Sequence, residues 1–142
     1  MTVCRGIRGA TTVDHDDREE ILVATRQLLA LMIRRNDIDS ADVASIIFTV
    51  TKDITAEFPA LAARQLGWIE VPLLCGYEVS VPGSLPRCIR ILVHWNTSKS
   101  QSEVVHTYIR GAAVLRPDLI KFPAIDFEEL ESWIREQMSQ DG

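Results

Sequence analysis

Residues 74–95 read L-C-G-Y-E-V-S-V-P-G-S-L-P-R-C-I-R-I-L-V-H-W. The second half alternates with the period of a β-strand: Ile89, Ile91, Val93 and Trp95 share one face, and Cys88, Arg90, Leu92 and His94 the other. Arg90 is therefore a permanent cation between two isoleucines in one of the most apolar strands of the chain. A guanidinium cannot shed its proton, so in such surroundings it needs partners. Glu78 is the one acidic residue in the stretch and the obvious candidate. Two readings follow. A Glu78–Arg90 pair can serve fold specificity alone, or Arg90 can be a cationic donor braced by a carboxylate and aimed at a ligand.

At 142 residues the chain is long enough for one domain with a sizeable core. Its 46% apolar and 25% charged content is that of an ordinary globular protein, and no apolar run approaches a membrane span. The N-terminus, M-T-V-C-R-G-I-R-G, has no apolar core of a secretory signal, so the cytoplasm is expected. Cys4, Cys75 and Cys88 are odd in number and lack C-x-x-C spacing, which fits free thiols rather than a disulfide frame or a zinc site. The net charge of −5 is uneven: Asp126, Glu128, Glu129, Glu131, Glu136 and Asp141 face only Arg135 beyond residue 125, and the body before them is formally neutral. Nucleic acid requires a clustered basic surface, so it is not expected as a partner. An anionic ligand must instead be met by a few placed arginines.

Residues 1–12 open as a short strand in which Arg8 lies between Gly6 and Gly9. Glycines permit close backbone approach, so Arg8 can project into a cleft, but from this segment alone a solvated arginine on an edge strand is the better reading. A capping box at Asp16–Glu19 or Asp17–Glu20 begins a helix striped by Ile21, Leu22, Thr25, Leu28, Leu29 and Met32. V-A-S-I-I-F-T-V-T at 43–51 reads as a buried strand. Pro59 starts a short helix that Gly67 stops, and residues 68–74 form a third strand placed by Pro72 at a sheet edge. After the strand at 88–96, Ser100 or Ser102 caps a helix carrying Val104, Val105, Tyr108 and Ile109, and A-A-V-L at 112–115 is a last short strand. The three histidines, His15, His94 and His106, are scattered and read as structural or solvated. The order β-α-β-α-β-β-α-β is an α/β or α+β single domain, with helices on one face of a mixed sheet. Residues 122–142 differ in character: Asp126 caps an acidic helix striped by Phe127, Leu130, Ile134 and Met138, suited to docking on its own protein or a neighbouring subunit.

Several short motifs occur together: R-G-I-R-G-A-T-T, E-F-P-A with Arg64, G-W-I-E-V-P, Cys75 with Glu78, C-I-R-I at 88–91, Tyr108, and V-L-R-P-D-L at 114–119. In this order they resemble the monofunctional chorismate mutases of the trimeric pseudo-α/β-barrel class over residues 3–119. The resemblance implies conversion of chorismate to prephenate in aromatic amino acid biosynthesis, by a pericyclic step without cofactor or metal. It implies a homotrimer with sites between subunits and a domain spanning 1–121, followed by a tail at 122–142. Arg90 would donate to the ether oxygen and contact a carboxylate. Glu78 would accept from the ring hydroxyl and fix Arg90. Arg8 and Tyr108 would hold carboxylate, with Cys75 against the ring. Phe58, Leu74 and Leu115 would wall the pocket, and Arg64 and Arg116 would lie at its mouth. The chain departs from the family pattern at Leu61 and Leu74, where lysine and threonine are common; both changes reduce polar contacts at the rim. A non-catalytic trimeric module binding small carboxylates is an alternative, as is an imine deaminase of similar trimeric architecture.

Overall fold

A computed structural model describes residues 1–119 and 122–139. The expected boundary at Lys121 and the last three tail residues lie outside them. Five strands form one mixed sheet in the order β3-β2-β4-β1-β5. They are β1 (Val3–Thr12), β2 (Val43–Val50), β3 (Leu73–Tyr77), β4 (Cys88–Thr97) and β5 (Thr107–Tyr108). The alternating stretch is thus the central strand, antiparallel to β1 on one side and to β2 on the other. β3 adds in parallel to β2, and β5 in parallel to β1. β3 is an edge, as Pro72 suggests, but β1 is internal, so Arg8 does not sit on an edge strand.

Three helices cover one face. Helix α1 (Arg18–Asn36) begins at Asp17, whose carboxylate accepts from Glu20 N at 3.0 Å, and ends at Asp37 in the left-handed conformation, φ 57. The other candidate cap, Asp16, accepts from Thr55 N, Thr55 Oγ1 and Ala56 N and pins a loop instead. α2 (Ala60–Gln65) and α3 (Phe127–Ser139) flank α1, which is why α1 is buried nearly all round. The core lies between these helices and the Ile89–Ile91–Val93–Trp95 face of β4, with Phe48 and Ile7 beside it. Gly9 faces this layer: a Cβ there would overlap Met32 Sδ and stand 3.2 Å from Leu28 Cδ1, so its glycine lets α1 approach β1. No helix among the described residues is long and apolar enough to cross a membrane.

The tail docks on its own chain. Leu130 and Ile134 of α3 are fully buried in the main core, and Asp126 caps the helix by accepting from Glu129 N at 3.1 Å. Arg34 of α1 holds Glu129 with two hydrogen bonds of 2.7 and 2.8 Å.

Three expected elements differ. The third strand begins at Leu73 rather than Trp68, because Trp68 and Val71 turn into the core and pairing to β2 starts from the Pro72 carbonyl. The helix expected from Ser100 or Ser102 is a single capped 3-10 turn, Gln101–Glu103. Asn36, reaching from the end of α1, accepts from Val105 N at 2.8 Å and donates to Val105 O at 2.9 Å, which withdraws that peptide from any helical ladder. The chain then runs extended through β5, and the expected strand at 112–115 is instead part of a 3-10 segment, Arg110–Leu115.

Candidate active site

The sheet face opposite the helices carries Arg90. Register places Gly76, Thr49, Arg90, Ala10 and Tyr108 in one row across the five strands. The adjacent row holds Leu74, Ile47, Leu92 and Arg8. The small partners Ala10 and Thr49 leave the Arg90 side chain room on both sides. Entry into β4 is fixed just before it. Arg87, at φ 46, donates its N–H to Asp53 and its Nε to Val13 O, while Cys88 N donates to Thr51 Oγ1.

Arg90 Nε stands 2.6 Å from Glu78 Oε1; the side chains are 34% and 17% exposed. The N–H is not aligned on that oxygen, so the contact is an ion pair rather than a directed hydrogen bond. Arg90 Nε and Glu78 Oε2 are both buried without a hydrogen-bond partner among the described residues. A ligand would therefore meet the part of the Arg90 side chain beyond Nε, where its 34% exposure lies. Cys88 lies two residues away on the same face, its thiol pushed up to about 11 by burial, with Arg90 pulling it down and Glu78 raising it. It is a neutral thiol that itself lies in hydrogen-bonding contact with the Arg90 guanidinium.

Arg8, Tyr108, Leu115 and Arg116 lie towards the β1–β5 side of this face. Arg8 is exposed. The Arg116 guanidinium stands 5.9 Å from the Tyr108 ring centroid and pairs with Asp118 at 2.9 Å. Tyr108 and Leu115 pack on the buried cluster of Ala10, Cys88 and Ala112. Gly111 brings this segment against β1, because its N–H donates to Thr12 Oγ1 at 3.0 Å and a Cβ would meet that oxygen at 2.8 Å. Arg110 before it takes φ 52, a conformation costing on the order of 1–3 kcal/mol for a non-glycine residue.

His106, read from sequence as structural or solvated, belongs to this cluster. Its Nδ1 accepts from Arg8 N at 2.9 Å, and its pKa is lowered by burial and then by the cations Arg116 and Arg8. The neutral ring fixes the backbone that presents Arg8. Its spacing of two residues from Tyr108 was the only local signal.

The remaining sequence-derived residues lie apart. Phe58 and Cys75 line a cavity of about 310 Å³ with Val50, Ile54 and Tyr77. Cys75 pairs with the buried Phe48 and so belongs to the helix-side face, not to that of Arg90; burial raises its thiol pKa. Leu74 shares Arg90's face but sits at the opposite edge of the sheet, three strands or about 14 Å from Arg8. Arg64 is exposed at the end of α2. Within one chain, then, Glu78, Arg90, Arg8, Tyr108, Leu115 and Arg116 gather on one side, and Phe58, Arg64, Leu74 and Cys75 on another. Phe58 at 71% exposure and Leu74 at 65% are apolar surfaces without cover.

Comparison with known proteins fits this geometry. The profile of the family chorismate mutase type I matches residues 4–119. "Chorismate mutase AroH" of Thermus thermophilus is 57% identical over 116 residues, covering 81% of this chain and 95% of the relative. "Chorismate mutase AroH" of Bacillus subtilis (strain 168) is 46% identical over 116 residues, covering 81% and 91%. A solved chorismate mutase from Clostridium thermocellum superposes with a TM-score of 0.76 at 49% identity, covering 77% of this chain and 97% of that one. The matched region holds the whole Arg90 face and stops short of α3. On this evidence the chain belongs to the chorismate mutase type I family.

Proposed function

We propose that the chain converts chorismate to prephenate in the cytoplasm, in sites formed between the subunits of a homotrimer. The observation that carries this reading is the Arg90–Glu78 pair, 2.6 Å apart on an open sheet face, with Arg8 and Tyr108 in the same or the neighbouring register row. Chorismate is a dicarboxylate that rearranges in one pericyclic step, so the protein need supply neither nucleophile nor base. As the ether bond breaks, negative charge grows on its oxygen. A guanidinium already in place stabilises that charge more than it stabilises the ground state. Arg90 takes this role, with one edge on the ether oxygen and the other towards a carboxylate. Glu78 braces it and accepts from the ring hydroxyl. Arg8, Tyr108 and Arg116 meet the carboxylates and hold the enolpyruvyl arm over the ring, an orientation effect.

The helix-free sheet face and the exposed Phe58, Leu74 and Val114 require cover that the described residues of one chain do not provide. A neighbouring subunit supplies it if its Phe58, Arg64, Leu74 and Cys75 close the pocket over Arg90. The family resemblance supplies the number three and a closed symmetric assembly accounts for every copy of the surface alike. The test follows loss of chorismate's ultraviolet absorbance by the purified chain, with sedimentation of the same sample. Turnover by a species of three chains is expected. A folded protein that binds dicarboxylates without turnover leaves a binding module, and a fully active monomer refutes the shared site.

A further inference from the structure

Helix α3 lies beyond the residues that match the family, yet it is wired to the segment carrying Leu115 and Arg116. The link runs through Gln27 of α1, which is 5% exposed. Its Nε2 donates to Glu131 Oε1 of α3 at 2.8 Å, and its Oε1 accepts from Arg110 Nη2. The Arg110 guanidinium also stands 5.4 Å from the ring centroid of Phe127, the first residue of α3. Arg110 is thus held from both α1 and α3. It is also the residue at φ 52, directly before Gly111. A non-glycine residue persists in that conformation where its surroundings hold it. Tyr108 is anchored to β1 two residues earlier, so rotation about Arg110 moves Leu115 and Arg116 relative to Tyr108.

We propose that Gln27 and Arg110 are positioning residues, and that α3 acts through the Glu131–Gln27–Arg110 chain to set the 110–116 segment before substrate arrives. The proposal rests on the reading of Leu115 and Arg116 as substrate contacts. A segment that must be ordered on binding lowers affinity. Arg90 on β4 pairs with Glu78 just past β3, and none of the contacts of Glu131, Gln27 and Arg110 involves them, so the step from bound substrate keeps its barrier. The signature is therefore a raised KM at nearly constant kcat.

The deciding variant is Arg110→Gly, since glycine adopts the required φ without strain and only the anchor is removed. KM for chorismate is expected to rise roughly three- to tenfold, with kcat within about twofold and thermal stability retained. Gln27→Met cuts the same link from the other side; the double variant should be no worse than the stronger single one, as for two parts of one linkage. Amide hydrogen exchange across residues 111–116 should quicken in Arg110→Gly. Unchanged KM in folded Arg110→Gly overturns the proposal, as do additive effects in the double variant. If the unmodified protein does not consume chorismate, the functional reading falls by itself; unchanged exchange in Arg110→Gly then overturns the linkage too. Should Gln27→Met fail to fold, Arg110→Gly decides alone.

Discussion

Gly9→Ala tests whether the sheet and α1 are packed as closely as described. The added methyl would overlap Met32 Sδ and lie 3.2 Å from both Leu28 Cδ1 and Met32 Cε, and Met32 and Leu28 are fully buried. Met32 is fully buried, so either α1 lifts from β1 or the methionine changes rotamer inside a filled core. Inserting a methyl into a filled core costs about 1–3 kcal/mol. Replacing glycine restrains the unfolded chain and returns about 0.4–1 kcal/mol. The packing cost wins, for a net loss of about 0.5–2 kcal/mol. At this chain length that lowers Tm by roughly 2–6 °C. Melts must be compared at one protein concentration, because the proposed trimer would make the midpoint concentration-dependent. Gly9 faces away from Arg8 and Arg90, so turnover per folded site should be unchanged. An unchanged or raised Tm would refute the close packing.

Glu78→Gln leaves Arg90 without its counter-charge. Turnover should drop at least about tenfold, while stability falls by about 1–2 kcal/mol, less than the ~3–5 of a fully buried pair because the Arg90 side chain is 34% exposed; denaturant midpoints that fall without any loss of turnover would make the pair purely structural. His106 binds a proton less readily when folded than when unfolded, so it makes the fold less stable as pH falls through about 6.5 towards its lowered folded value. His106→Asn keeps an acceptor for Arg8 N–H and does not titrate, so its thermal melts should depend less on pH between about 7.5 and 5; identical slopes in both proteins would contradict this assignment. Removal of residues 122–142 uncovers the α1 surface under Leu130 and Ile134, so the chain should melt earlier. Its kcat should stay within about tenfold, or ~1.4 kcal/mol of barrier, and a folded but dead truncation would show that α3 builds the site.

The architecture was legible wherever local pattern and long-range packing agree. Alternation at 88–95 gave the buried and open faces of β4, and the stripe from Ile21 to Met32 gave α1. It failed at 100–115, because Asn36, about seventy residues away in the chain, takes the Val105 backbone hydrogen bonds, and no local signal announces that. Arg90 and Glu78 stood out as a cation in an apolar strand beside a lone acid. Arg8 was only half legible: Gly9 does allow a close approach, but that of α1 on the other face. Phe58, Arg64 and Cys75 carried no local mark and came from family resemblance alone. Gln27 looked like an ordinary helix residue, and its tie between α3 and Arg110 appears only once three distant segments meet.

The measurement bearing most directly on the account is steady-state turnover of chorismate by Arg90→Lys, beside a thermal melt and the affinity for a ground-state dicarboxylate. Lysine keeps the charge, so a site that needs only neutralisation of Glu78 or attraction of a dianion tolerates the change. A site that needs a planar fork on the ether oxygen and a carboxylate together does not, because a compact ammonium on a flexible stem cannot span both. Loss of one preorganised donor to a developing oxyanion costs about 3–4 kcal/mol, a hundred- to a thousand-fold in turnover on the order-of-magnitude scale. Arg90→Lys should fold and assemble as the unmodified protein does, with turnover down at least that far and a smaller change in dicarboxylate affinity. Near-normal turnover in Arg90→Lys would contradict the account and return the Arg90–Glu78 pair to a structural role.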